Sequence, residues 1–175
     1  MSADTSDRLA AEIAALSDRV RRTEDTLAIY ELKSRYGELV DGRYVRGALT
    51  DDERLYALSN EIAALFTRDA VWNGGPGLGT AVGREAIAEQ MRRTTLVFSR
   101  HLFVKPHIRL DGDRAWGRWD LLCPCKSSDG TSMWMCGYED DEYARDDEGQ
   151  WLHHNMRLTT VFYSPTDKGF EDIFN

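Results

Sequence analysis

The chain has 175 residues, enough for one domain with a full core and too few for two ordinary ones. Its 30 acidic against 22 basic residues give a net charge of -8, and no basic run exceeds the pairs Arg21-Arg22 and Arg92-Arg93, which argues against nucleic acid and anionic membrane surfaces as partners. No apolar run approaches the roughly 18 residues of a membrane span, and the first residues are acidic without a secretory apolar core, so a cytoplasmic location is expected.

Along the chain, Leu9, Ile13, Leu16 and Val20 recur at spacings of four and three with charges between them, a helical stripe of about two heptads. It is too short for a coiled coil on its own merits and is assigned, as residues 1–24, to packing on the domain or on a partner subunit. Near residues 23–25 the stripe loses its apolar member, which predicts a break or a register change before a second helix over 26–43. Thr50 stands three residues before Glu53, the spacing of a capping box that would open a helix toward Phe66. A short strand over 70–72 should follow, and then the loop Asn73-Gly74-Gly75-Pro76-Gly77-Leu78-Gly79. That loop lacks both the G-x-G-x-x-G order and the Walker lysine, so it reads as a strand-to-helix connection rather than a phosphate cradle. A short helix over 84–94 comes next.

From His101 onward the apolar period changes to two, with turn signals every ten to fifteen residues. This predicts a four-stranded antiparallel meander over 102–110, 115–125, 131–144 and 151–163, and with the helices before it an α+β domain over 25–165 followed by a tail, 166–175. Trp116, Trp119, Met133, Trp134, Met135 and Tyr138 crowd two of these strands, interleaved with Arg118, Asp120 and thiols. Such side chains either fill the core behind a bent sheet or line an apolar small-molecule pocket. Cys123 and Cys125 are too close for an ordinary disulfide, and with Cys136 they lack the paired spacing of a zinc site, so reduced thiols and no metal are expected.

One helix and one strand end in groups that exchange protons. The amphipathic run from Ile29 closes on Asp41, and sixty residues later His101 stands at the mouth of the predicted meander. Neutral imidazole accepts protons near neutrality and a carboxylate can orient it, so the two are candidates for a proton-transfer pair. Periodicity places Asp41 about 100° round from Val40, at the edge of the buried face, with Gly37 one turn earlier leaving space for something to approach.

Four segments resemble the SnoaL-like branch of the NTF2-like superfamily: 29–41; 65–72 (LFTRDAVW); Arg100-His101 with 108–115 (IRLDGDRA); and Gly137-Tyr138-Glu139-Asp140 on to Trp151. The branch includes scytalone dehydratase, hexachlorocyclohexane dehydrochlorinase and bile acid 7α-dehydratase. The resemblance implies a cone: a strongly curved, mostly antiparallel sheet wrapped around N-terminal helices that enclose an apolar cavity. It also implies a catalytic dyad at Asp41 and His101, with Tyr36 lining the cavity. Cys125 stands where the scytalone enzyme has a second catalytic histidine. His153 and His154 do not replace it, while a shifted register would be needed to bring His107 inward.

The expected activity is therefore that of a cofactor-independent lyase: elimination of water or halide, or C–C cleavage releasing a small aldehyde, from a small apolar cyclic or aromatic molecule. His101 would be the base and Asp41 its partner. Tyr36, Trp72 and Tyr138 would position the leaving group, Arg118 would stabilise developing negative charge, and Tyr44, Cys125 and Trp134 would contact substrate, with Arg43 and Arg46 near the entrance. The alternatives are a ketosteroid-isomerase-like isomerase or polyketide cyclase, and a ligand-binding module without catalysis. Open sheets with apolar outer faces tend to associate, so a homodimer or homotrimer is expected.

Overall fold

In the computed structural model, which describes residues 3–93 and 95–167, a 39-residue helix, α1 (Ala3–Asp41), runs without interruption through the segment where a break was expected. Between Thr23 and Thr26 there is no glycine or proline to stop it, and both hydroxyls bond back to carbonyls of their own helix rather than capping a new one, Thr23 to Arg19 at 3.0 Å and Thr26 to Arg22 at 2.8 Å. The segment marks instead where α1 docks. Asp25 is buried; it accepts from Trp151 Nε1 at 3.2 Å, is paired with Arg145, and lies 3.8 Å from Arg21. Replacing Asp25 with alanine strands these donors in a half-buried pocket, and a loss of about 1–3 kcal/mol in urea unfolding is expected.

After α1 come a hairpin, β1 (Tyr44–Val45) and β2 (Ala48–Leu49), then α2 (Asp52–Ala64). The residue that caps α2 is Asp51, whose carboxylate accepts from the Arg54 amide at 2.8 Å, so the Thr50 to Glu53 box is not the device used. Aspartate is as good an N-cap as threonine and stands one residue nearer. β3 (Phe66–Asn73) is longer than the three residues expected, and β4 (Thr80–Val82), α3 (Arg84–Arg92) and β5 (Leu96–Ser99) follow. The last position of the helix expected over 84–94, Thr94, lies outside the described residues. The meander is β6 (Leu102–Asp111), β7 (Arg114–Ser127), β8 (Ser132–Arg145) and β9 (Trp151–Pro165), close to the bounds read from period two. Thr166 and Asp167 form a turn after β9, and the rest of the expected tail, 168–175, lies outside the described residues.

The order of the sheet is β4-β3-β9-β8-β7-β5, with β6 also on β7. Among the described residues only the β3 to β9 ladder is parallel; it sets the last strand beside the first long one. Register shifts interrupt β6 against β7 near Lys105, β8 against β9 at two places, and β3 against β9. Such bulges bend a strand and raise its twist, which curls this sheet around α1. The α+β class expected from the sequence, N-terminal helices against a curved and mostly antiparallel sheet, is the one observed. At Gly37 an added Cβ would lie 3.3 Å from the Phe103 ring, so the space left by this glycine admits β6 against the helix. Phe103 packs against all three apolar clusters of the core.

Candidate active site

Strand alternation sorts the side chains of the meander. On β7 and β8 the odd-numbered residues point at the helices and the even-numbered ones away from them. Trp119, Leu121, Cys123, Met133, Met135 and Tyr143 therefore build the inner wall. Arg118, Trp134 and Tyr138, expected at the substrate, stand on the outer face, where Arg118 grips Asp140 through two bonds of 2.7 and 2.9 Å and lies 4.4 Å from the Tyr138 ring centre. His107 is exposed on the same side even though the β6 bulge lies just before it.

A cavity of about 1030 Å³ opens between the inner wall, the end of α1, and the glycine-rich loop 73–79. That loop is a structured wall, closed by hydrogen bonds from Gly74 to Gly79 and from Gly79 back to Gly75, each at 2.9 Å. Tyr36, Trp72 and His101 line the cavity, together with Arg43, Met91, Ser99 and Glu139. Tyr44 does not: it is packed edge-on against Phe98, 6.2 Å between ring centres. Its neighbour Arg43 reaches the cavity while donating to the Val40 and Met91 carbonyls at 2.9 Å each. Cys125 is buried on the inner face beside Cys123, in the cluster behind the cavity wall. The neighbouring Cys125 sulfur, together with burial, holds the Cys123 thiol well above the ordinary range. Among the described residues no group of three or more His, Cys, Asp or Glu side chains could hold a metal ion.

Asp41 and His101 are in contact. His101 Nδ1 lies 2.7 Å from Asp41 Oδ1, and the His101 backbone N–H donates to both carboxylate oxygens at 3.0 and 3.1 Å. Arg100 Nε is 3.5 Å away on the solvent side. A carboxylate at the C-terminus of a helix faces the negative end of its own dipole, so Asp41 stands where a surface acid is disfavoured; these donors offset that. An ionised carboxylate only accepts, hence Nδ1 carries the ring proton and Nε2 is left with the basic lone pair. The ring stacks on Phe103 at 23° and 5.8 Å, and the two side chains are only 5% and 13% exposed.

Deeper in, Trp72 Nε1 donates to the Tyr36 hydroxyl at 3.1 Å. Burial, reinforced by the charge of Glu139, pushes the Tyr36 phenol far up, so it keeps its proton across the neutral range. Beyond it lies a group of buried charges that was not foreseen from the sequence. Lys33 binds Asp141 at 2.7 Å and is paired with Glu139; Tyr143 donates to Asp141 at 2.8 Å, and Trp119 to Tyr143 at 2.9 Å. The lysine nitrogen stands 4.3 Å from the Phe103 ring centre, on the same side chain that stacks against His101. Burial alone would push Lys33 down, yet the attraction of Asp141 and Glu139 outweighs it and the ammonium is held above its ordinary value. Burial lifts Asp141 to about 6 against the pull of Lys33. His153, buried against Tyr36, Phe66 and Tyr143, is driven down by burial and by Lys33, and is therefore a neutral packing group. Lys33 was legible as a lysine on the buried face of the helix, four residues after Ile29 and three before Tyr36. Glu139 and Asp141 share the odd-numbered face of Met133, Met135 and Tyr143.

The SnoaL-like domain family matches residues 21–157. The chain belongs to the SnoaL-like family. The match omits most of the exposed start of α1. Solved structures with the same fold include a hexachlorocyclohexane dehydrochlorinase, LinA. The type 2 LinA is 21% identical with a TM-score of 0.70, covering 84% of this chain and 92% of that one. A second LinA structure is 24% identical with a TM-score of 0.67 and the same coverage. An NTF2-like protein from Novosphingobium aromaticivorans is 24% identical with a TM-score of 0.66, covering 83% and 88%. No curated protein shows a significant match. At these identities the likeness of this SnoaL-like chain to the solved structures is one of fold.

Proposed function

We propose that the protein is a cofactor-independent lyase acting on a small, largely apolar cyclic or aromatic molecule bound in the cavity, with Asp41 and His101 as its proton-transfer dyad. The observation that carries this reading is the 2.7 Å contact between Asp41 and Nδ1, which leaves Nε2 as the base of a ring that lines the cavity. Nε2 takes a proton from a carbon, and the freed electron pair forms the new double bond as the leaving group departs from the neighbouring carbon. Asp41 then stabilises the imidazolium. In the C–C cleaving variant the proton comes from a hydroxyl, the carbonyl of the released aldehyde forms, and the broken bond's electrons expel a leaving group already on the substrate. The Tyr36 phenol, protonated and polarised by Trp72, is suited to hydrogen-bond that leaving group. The fold shared with a protein named a dehydrochlorinase supports elimination as the reaction class.

A second reading has its own observation. Glu139 lines the same cavity beside Tyr36, and a carboxylate next to a protonated phenol is the pairing needed to move a proton between two carbons of an enone. One panel separates the readings: aromatic alcohols, lignin-type dimers, steroids and hexachlorocyclohexane, screened by thermal shift and product mass on wild type, H101A and E139Q. A compound that stabilises wild type and H101A alike but is converted only by wild type is the expected outcome. Conversion that survives H101A and fails in E139Q replaces the lyase with an isomerase, and binding without conversion in any protein leaves a ligand-binding module.

A further inference from the structure

Residues 5–24 of α1 are all exposed, and burial against the domain begins only at Asp25. Leu9, Ile13, Leu16, Val20 and Leu27 are each 49–57% exposed, in a line along roughly 27 Å of helix. Helices in proteins draw most of their stability from packing an apolar face, and a row of large apolar side chains left exposed on one marks a contact surface.

Because α1 is continuous, the apolar spacing continues in phase across Thr23 to Leu27 and Tyr30. The pattern is a heptad with Ile13, Val20 and Leu27 at a, and Leu9, Leu16 and Thr23 at d. β-Branched residues at a with leucine at d favour two parallel strands. Charges beside the seam agree. In a parallel pair each g residue meets the e residue five positions on in the other strand, which sets Arg19 against Glu24 and leaves Glu12 against Ser17 and Thr26 against Glu31, with no like-charged pair. The antiparallel alignment that stacks the same apolar layers would set Arg19 against Arg19. Arg21 stays out of the seam, bonded to Asp18 at 2.6 Å on its own helix. Where α1 enters the domain, Leu27 and Tyr30 remain on its exposed side while Ile29 and Leu32 face the core, so a partner helix can follow the seam without displacing the domain.

We propose that the exposed half of α1 pairs in parallel and in register with α1 of a second copy of this chain, as a two-stranded coiled coil from Leu9 to Leu27. Sedimentation velocity on the full chain is expected to give a dimer that I13E/V20E converts to monomer without changing the thermal unfolding of the domain. R19E should weaken the dimer several-fold, and R19E/E24R should restore it. L16C in a C136S background should form an interchain disulfide on mild oxidation. A wild-type monomer or trimer, a dimer indifferent to I13E/V20E, or a folded L16C that stays uncrosslinked would each overturn the proposal.

Discussion

Replacing Lys33 with methionine is expected to cost about 3–5 kcal/mol of folding stability, the largest loss of any single substitution considered for this chain. The reason is the company it keeps. Glu139 and Asp141 are both buried, and Lys33 is the cation bonded to each of them. Methionine matches the stem but leaves two carboxylates facing each other in a medium that cannot screen them. The triple variant K33M/E139Q/D141N removes the charges together and should recover much of the loss, because neutral replacements of a buried ion group are often tolerated. Urea unfolding by far-UV circular dichroism measures both; a K33M variant within about 1 kcal/mol of wild type would show that the cluster holds no such charge.

The same cluster has a pH signature. Asp141 is raised from 3.8 to about 6 by burial, so it binds its proton more tightly folded than unfolded. Its contribution to stability is therefore full below about 3.8 and is lost as pH rises through about 6. The stability of wild type minus that of D141N should fall across this window and level off above it. A flat difference between pH 4 and 7 would count against the shift.

The second large effect is on catalysis. Asp41→Asn keeps the shape and can still accept the Nδ1 proton, but under the proposed mechanism it removes the charge that would stabilise the imidazolium and permits the wrong tautomer. A loss of about 10²–10⁴-fold in kcat is expected, with ligand affinity nearly unchanged. Calorimetric binding beside turnover of a compound found by the panel makes the split measurable. A kcat within about threefold of wild type would remove Asp41 from the mechanism.

The meander was readable because period two is a local property: each side chain's face follows from its neighbours. Lys33 was missed although an amphipathic helix shows on its own which residues it buries, and a lysine on that face does not name its partners. Glu139 and Asp141 are more than a hundred positions away, and only the curl of the sheet brings them in. Arg118, Trp134 and Tyr138 had the right chemistry for a site and the wrong parity for the cavity. Parity groups residues on one face without saying which face is inside.

What the sequence determined by itself was the α+β class, the approximate strand bounds of the meander, and the two titratable side chains at Asp41 and His101. Those follow from short-range periodicity and from residues whose chemistry is fixed. What the tertiary structure decided was that Asp41 and His101 touch, that the glycine-rich loop is a cavity wall, and that α1 runs on as a single helix with an exposed seam. The contact and the wall depend on approaches between distant segments, and the exposed seam on what covers the surface of α1; no local pattern carries that information.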